Sequence, residues 1–416
     1  MKVLLRIVLL FCIIMIRNKT RRKPVKMKKA IPFIVLAVIG AICVLLIIGT
    51  KAGSNIYDAQ ESDSAPAYDK RIALSDSFTE KCVGSFLAVK PDKNTVLSLN
   101  NVSLSLEVLS DMTLGDTNDA ITTVNGGNTA FYTDDVISED LSCWINSDLK
   151  VKKVCIEELS DKYGMFTCVG DVTSAKMNKI HSDRLADIAE IYSLRDKTFN
   201  PDTLMELDII TGFSDTWVFP FIKENTFDSE FYGETVYTVS FMHKTEPKTV
   251  YFAKNFSSIA ERTSNDYSVY FVLPASDVSL DTVFEDNELK EFLLSDKKKW
   301  GQKETCLVEE AVPIFSYDTV YDVSDLLKGM GLSVLFTKSA DFAPIFDEEI
   351  SVSNIYQSTR VCVDENGFTA KTAGIIEILK SDPEERLISF DLNKPFLYFV
   401  EDPDNNILYI GTVTEP

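Results

Sequence analysis

The chain has 416 residues, with 45% hydrophobic, 11% aromatic and 25% charged side chains and only 17 Gly and 14 Pro, which excludes a disordered, collagen-like or coiled-coil protein. The formal charge of −21 is unevenly spread: residues 1–51 hold 11 Lys or Arg and no acid, leaving 31 bases against 63 acids in the remaining 365 residues, a net of −32. A body this acidic repels phosphate backbones, so nucleic acid is not expected among its partners.

The front end reads as a membrane address. Ala30–Thr50 is an uncharged run of 21 residues, and ~20 such residues cross the hydrocarbon layer as a helix. Eight bases lie between Arg17 and Lys29, whereas the next ones after the run are Lys51, Lys70 and Arg71. By the positive-inside rule, residues 1–29 form a basic cytoplasmic terminus, 30–50 a signal anchor, and the acidic body lies outside. The competing reading is secretion after signal cleavage near Ala52, although a signal peptide's apolar core usually runs about 7 to 15 residues. The earlier apolar run Val3–Ile16 is broken by Arg6 and is too short to span. Met27-Lys28-Lys29 reads as an alternative start, with residues 1–26 an over-extension, and it favours a bacterial cell surface.

Residues 51–68 are small, polar and aperiodic, as expected of a tether, and one folded domain is expected over 69–416. Helical spacing appears at 71–90, at 101–120 with Val102, Leu104, Leu106, Val108 and Leu109 on the apolar face, and again at 151–163 and 176–192. After residue 205 the pattern turns to strands: LDII, ETVYTVSFMH, YSVYFVLP, VCV, PFLYFV and ILYIGTV. Helices in the first half and strands in the second predict an α+β fold.

Candidate chemistry is sparse. Outside the apolar front the six cysteines, Cys82, Cys143, Cys155, Cys168, Cys306 and Cys362, show no CxxC pair and read as buried thiols rather than bridges. The histidines are His181 and His243, far apart in sequence, so neither a clustered metal site nor a cofactor is expected. A nucleophile needs a base beside it, and Gly212-Phe213-Ser214-Asp215-Thr216 lacks the second glycine of a nucleophile elbow, so the chain is not read as an enzyme. Asp402, Asp404 and Asn406 mimic calcium-loop spacing but lack the turn glycine and the terminal Glu, and read as a polar turn between strands. Lys297–Lys299 reads as a solvated charge run.

The C-terminal third carries the most specific signal. Phe390-Asp391-Leu392-Asn393-Lys394-Pro395-Phe396-Leu397-Tyr398-Phe399-Val400, then Ile407-Leu408-Tyr409-Ile410-Gly411-Thr412-Val413, resembles the closing signature of the serpin family. Val312-Pro313-Ile314-Phe315, Leu326–Leu332, Ala340-Asp341-Phe342 and Val363-Asp364-Glu365-Asn366-Gly367 follow in the family's order. Phe213–Trp217 with Phe221, Tyr270–Pro274 and Asn94–Leu109 extend the resemblance over about residues 70–416.

The resemblance implies a serpin fold: helices mainly in the N-terminal half, three β-sheets and an exposed reactive-centre loop, here about residues 366–389. It implies an extracellular suicide-substrate inhibitor of a serine or papain-like cysteine protease, whose cleaved loop inserts into the main sheet and traps the acylated enzyme. A monomer is expected. The alternative it leaves is a non-inhibitory serpin acting as a cell-surface binding protein.

The hinge and inserting loop fall on Glu365, Gly367, Phe368, Ala370, Thr372 and Gly374, and period-two alternation places Phe368, Ala370, Thr372 and Gly374 on one small or apolar face. Phe368 stands where inhibitory members have a small Thr or Ser, Lys371 interrupts an Ala-rich run, and Ile314 replaces a Lys that pairs with the hinge acid, here Glu365. The sheet-opening region falls on Trp217, Asn101 and Gln357, with Asn101, Ile209 and Gln357 in place of the family's Ser, Asn and His. Counted by resemblance from Glu365, the scissile bond falls after Lys380 or Ser381, and a Lys380-Ser381 bond would suit a trypsin-like protease; counted back from Pro395 it lies near Glu384. Gly115–Asn128 has no Lys or Arg, so a basic heparin-type site is absent there.

Overall fold

The computed structural model describes residues 72–128, 136–189, 198–368 and 386–416. Residues 30–50, the tether and loop positions 369–385 lie outside the described residues. Helix α1 (Asp76–Val89) starts where the Ser75 side chain accepts from Phe78 N, and buries Phe78, Val83 and Phe86. Strand β1 (Thr95–Ser98) runs directly into α2 (Leu99–Asp111), because Ser98 caps the helix by accepting from Asn101 N. Nearly every position of α2 is buried, including Asn100, Asn101, Ser103 and Ser105. A helix enclosed on all sides can carry such polar groups only where each finds a partner.

The helical pattern expected over 101–120 is two helices. Helix α2 stops at Asp111, Thr113 turns its hydroxyl onto the Leu109 carbonyl at 2.9 Å, and α3 (Gly115–Asn125) begins at Gly115, whose φ is +55°. Strand β2 (Ile137–Asn146), helix α4 (Lys153–Tyr163), strand β3 (Phe166–Gly170), helix α5 (Ala175–Ala189) and strand β4 (Met205–Phe213) follow. Strands β2 and β3 are parallel, which requires a crossover, and α4 supplies it. The first half therefore contains more strand than expected.

The remaining elements are β5 (Asp215–Thr216), β6 (Thr226–Tyr232), β7 (Val236–Phe252), β8 (Phe256–Arg262), β9 (Ser268–Pro274), α6 (Leu280–Phe284), α7 (Asn287–Leu294), β10 (Lys303–Pro313), β11 (Phe315–Asp322), α8 (Ser324–Leu327), β12 (Tyr356–Val363), β13 (Gly367–Phe368), β14 (Leu387–Asp391), β15 (Phe396–Glu401) and β16 (Ile407–Val413). Among the described residues the strands build three sheets, as expected of an α+β serpin fold: β3-β2-β4, β11-β12-β13-β5, and a nine-stranded sheet in the order β1-β16-β15-β9-β8-β7-β10-β14 with β6 on β7. Every residue of β15 and β16 is buried, which explains their continuous apolar spelling.

Two sheets meet at the core through Tyr317 on β11 and Tyr398 on β15, whose hydroxyls are 2.7 Å apart. The lysine run is solvated at Lys298 and Lys299 but not at its first residue. Lys297 is buried, its Nζ 2.7 Å from Glu401 and donating to the carbonyls of Leu293 and Ser295. Burial holds this ammonium below the usual lysine range and the Glu401 carboxyl above the usual carboxylate range, each opposed by the partner's charge. Asp402 does close a polar turn, accepting from the amides of Asp404 and Asn406. All six described cysteines are free thiols, and burial pushes Cys143 up to about 12.

Candidate functional site: the hinge and the open sheet seam

Strand β5 continues β4 after the single residue Ser214, and β13 is inserted between β5 and β12. Gly367 pairs with Thr216, and Phe368 pairs with Asp215 on one side and Val363 on the other, all antiparallel. Beyond that point β4 and β12 approach each other, but no ladder joins them among the described residues. The seam holds a cavity of about 500 Å³ lined by Met205–Ile210 of β4, by residues 350–356 and Ser358, and by Leu185 of α5. The sheet is thus closed by two inserted residues at one end and open beyond them.

The hinge is fixed by its carbonyls. Trp217 Nε1 donates to Asp364 O at 3.0 Å, Trp217 N to Asn366 O at 2.9 Å, and Phe221 N to Glu365 O at 2.9 Å. The Asp364 carboxylate accepts from the amides of Asn366 and Gly367, which closes the turn. Sequence reasoning left Glu365 without its family lysine; the structure supplies Thr226, whose hydroxyl donates to Glu365 Oε1 at 3.0 Å. Gly367 must be glycine, since a Cβ would lie 2.2 Å from Asp215 O.

Phe368, which stands where inhibitory members have a small Thr or Ser, is a core residue of the sheet. It is 3% exposed, its ring set against Phe213 at 5.6 Å and Tyr398 at 5.9 Å between centroids.

At the start of α2 a second set of contacts grips both sides of the seam. Gln357 on β12 accepts from Ser98 N and donates to Ser98 O, both at 2.8 Å. Asn101 donates to Ile209 O on β4 at 2.7 Å, and the Ser98 hydroxyl lies 3.3 Å from that of Thr211. Burial pushes the neighbouring Tyr409 hydroxyl up to about 12, against hydrogen bonds from Thr211 and Ser98 that hold it down. Both sides of the seam are thus tied to Ser98 and Asn101 by hydrogen bonds of Gln357, Thr211 and the Ile209 carbonyl, in place of the Ser, Asn and His that the family resemblance implies. Of the expected residues, Asn101 and Gln357 come together here, while Trp217 sits with Glu365, Gly367 and Phe368 at the hinge. Ser98, Thr211 and Thr226 were missed. Ala370, Thr372, Gly374, Lys380 and Ser381 lie outside the described residues.

Residues 73–416 match the family described as Serpin (serine protease inhibitor). The chain belongs to the serpin family. It is 24% identical over 312 residues to "Serine proteinase inhibitor 2" of vaccinia virus, covering 67% of this chain and 88% of the relative. Its fold resembles the thermophilic serpin tengpin in the native state (TM-score 0.69, 18% identity, 85% of this chain and 97% of that one). It is similar too to thyroxine-binding globulin in complex with thyroxine (TM-score 0.67, 19% identity, 82% and 99%).

Proposed function

We propose that this chain inhibits a serine or papain-like cysteine protease as a suicide substrate. The observation that carries the reading is the seam: Gly367 and Phe368 are already hydrogen-bonded as a strand between β12 and β5, and the cavity continues along that line between β12 and β4. The protease nucleophile attacks the carbonyl of the scissile residue, Lys380 in our reading; the acyl-enzyme forms and the amine of Ser381 leaves with a proton. The freed segment 369–380 then extends β13. Its 12 residues reach about 40 Å as a strand, against about 30 Å for the nine of β4. Ala370, Thr372 and Gly374 continue the face on which Phe368 is buried. The far end stays on β10, where β14 is held by a parallel ladder from Leu307↔Leu387 to Ala311↔Asp391. Insertion thus separates the acylated residue from the strand to which it had been joined.

Lys380 favours a trypsin-like enzyme, whose specificity pocket carries an acid. Residues 30–50 anchor the chain, with the acidic domain outside the cell, and the Met27-Lys28-Lys29 start supports a bacterial surface. Mixing the protein with a panel of trypsin-like and papain-like proteases tests the proposal. A covalent complex that survives SDS is expected, and cleavage of the loop by every panel member without any such complex would replace inhibition with the surface-binding alternative.

A further inference from the structure

His181 projects from α5 onto β4, where its Nε2 lies 2.9 Å from Asp208 Oδ2 and 3.5 Å from Glu206 Oε1. The ring is fully buried and held in one orientation, stacked on Phe199 at 4.3 Å and against the edge of Trp144 at 4.9 Å. Asp208 Oδ2 also accepts from Trp144 Nε1 at 2.7 Å and from the Ser142 hydroxyl at 3.3 Å. The three candidate ligand atoms of His181, Glu206 and Asp208 lie within 4.8 Å of one another. Glu206, Leu207 and Asp208 border the seam cavity, as does Leu185 one turn along α5.

Zinc bonded tetrahedrally at 2.0–2.2 Å to an imidazole nitrogen and a carboxylate oxygen holds those two atoms about 3.4 Å apart. The His181–Glu206 separation already meets that value, and the His181–Asp208 separation has to open by about 0.5 Å. One imidazole with two carboxylates suits zinc better than calcium or magnesium, which take all-oxygen sets. The indole N–H and the hydroxyl both bond Asp208 Oδ2, and so hold in place the oxygen that faces His181. The bordering cavity leaves room for water at a fourth position.

We propose that His181, Glu206 and Asp208 form a zinc-binding site that fastens α5 to β4. Its consequence rests on the inhibitory reading above: a strand entering beside β4 passes the end of the cavity lined by Leu185, so zinc slows insertion and diverts the protein toward cleavage without trapping. Detergent-solubilised full-length protein, stripped with EDTA, is titrated with zinc chloride by calorimetry and by thermal unfolding. One zinc per chain and a raised midpoint are expected. Glu206→Gln, its zinc-loaded midpoint compared with its own metal-free midpoint, should weaken binding at least tenfold, and His181→Gln should abolish it. Absence of binding by wild type, or equal binding by wild type and Glu206→Gln, overturns the site. No protease is used, so a failed zinc titration leaves the inhibitory reading standing, and a failed protease panel leaves the zinc site standing.

Discussion

Phe368 lays its ring across that of Phe213, centroids 5.6 Å apart and planes 71° to each other, so the first residue past the hinge glycine is a core residue of the sheet. The resting protein has already begun the strand that cleavage would complete.

Phe368→Ala should therefore destabilise the uncleaved protein. Replacing a buried Phe by Ala costs about 3 to 5 kcal/mol where the cavity stays open. Urea unfolding of both forms measures it, and a loss under about 1 kcal/mol would mean that the ring is not seated in solution.

Gln357→Leu removes both hydrogen bonds to the Ser98 backbone while keeping the volume. Two buried backbone groups lose their partners, at about 1 to 3 kcal/mol each. We expect a lower thermal midpoint and faster self-association on warming, since the start of α2 no longer grips β12. Unchanged size-exclusion profiles after incubation near the midpoint would contradict this role.

Recognition and trapping should separate by mutation. Lys380→Glu presents an acid to an acidic pocket and should abolish attack by trypsin-like enzymes. Thr372→Arg forces a charge onto the face that must be buried, so the protein should be cleaved normally and yield no covalent complex. Equal complex formation by wild type and Thr372→Arg would sink the insertion mechanism; continued cleavage after residue 380 in Lys380→Glu would sink the bond assignment.

His243 stacks on Phe227 at 4.0 Å, and burial holds its imidazole below the usual range, against the pull of Asp391 and Glu309. The native state then favours the neutral ring. Its contribution is present above the unfolded pKa of about 6.5 and is lost as pH falls toward the lower folded value. Denaturant midpoints at pH 7.5 and 5.5 should differ more in wild type than in His243→Gln, and identical differences would remove the histidine from the pH dependence.

Topology is tested on intact cells. External protease should digest the acidic domain, and a salt wash should leave that domain in the membrane fraction. Recovery of a soluble chain beginning at Gly53 would favour signal cleavage instead.

Much of this was legible where the information is local. The buried closing strands and the Asp402 turn are written in contiguous residues. The break at Thr113 was hidden because a threonine hydroxyl replaces the helical N–H bond without interrupting the apolar spacing. Strand β2 was missed because Ser138, Glu139 and Asp140 interrupt its apolar spelling before the buried Leu141–Ile145 run. Lys297 looked solvated because its partner Glu401 is 104 residues away. The grip on the seam was invisible for a related reason: Gln357 and Asn101 bind backbone atoms of Ser98 and Ile209, which have no spelling of their own.

Gly367 sets how closely β13 approaches β5. Any side chain there meets the Asp215 carbonyl at 2.2 Å and parts β13 from β5. The atoms in the way are backbone, Asp215 O and Thr216 Cα, so no side-chain rotation relieves the clash. The absence of one methyl group at 367 is thus what lets β13 lie against β5 at all.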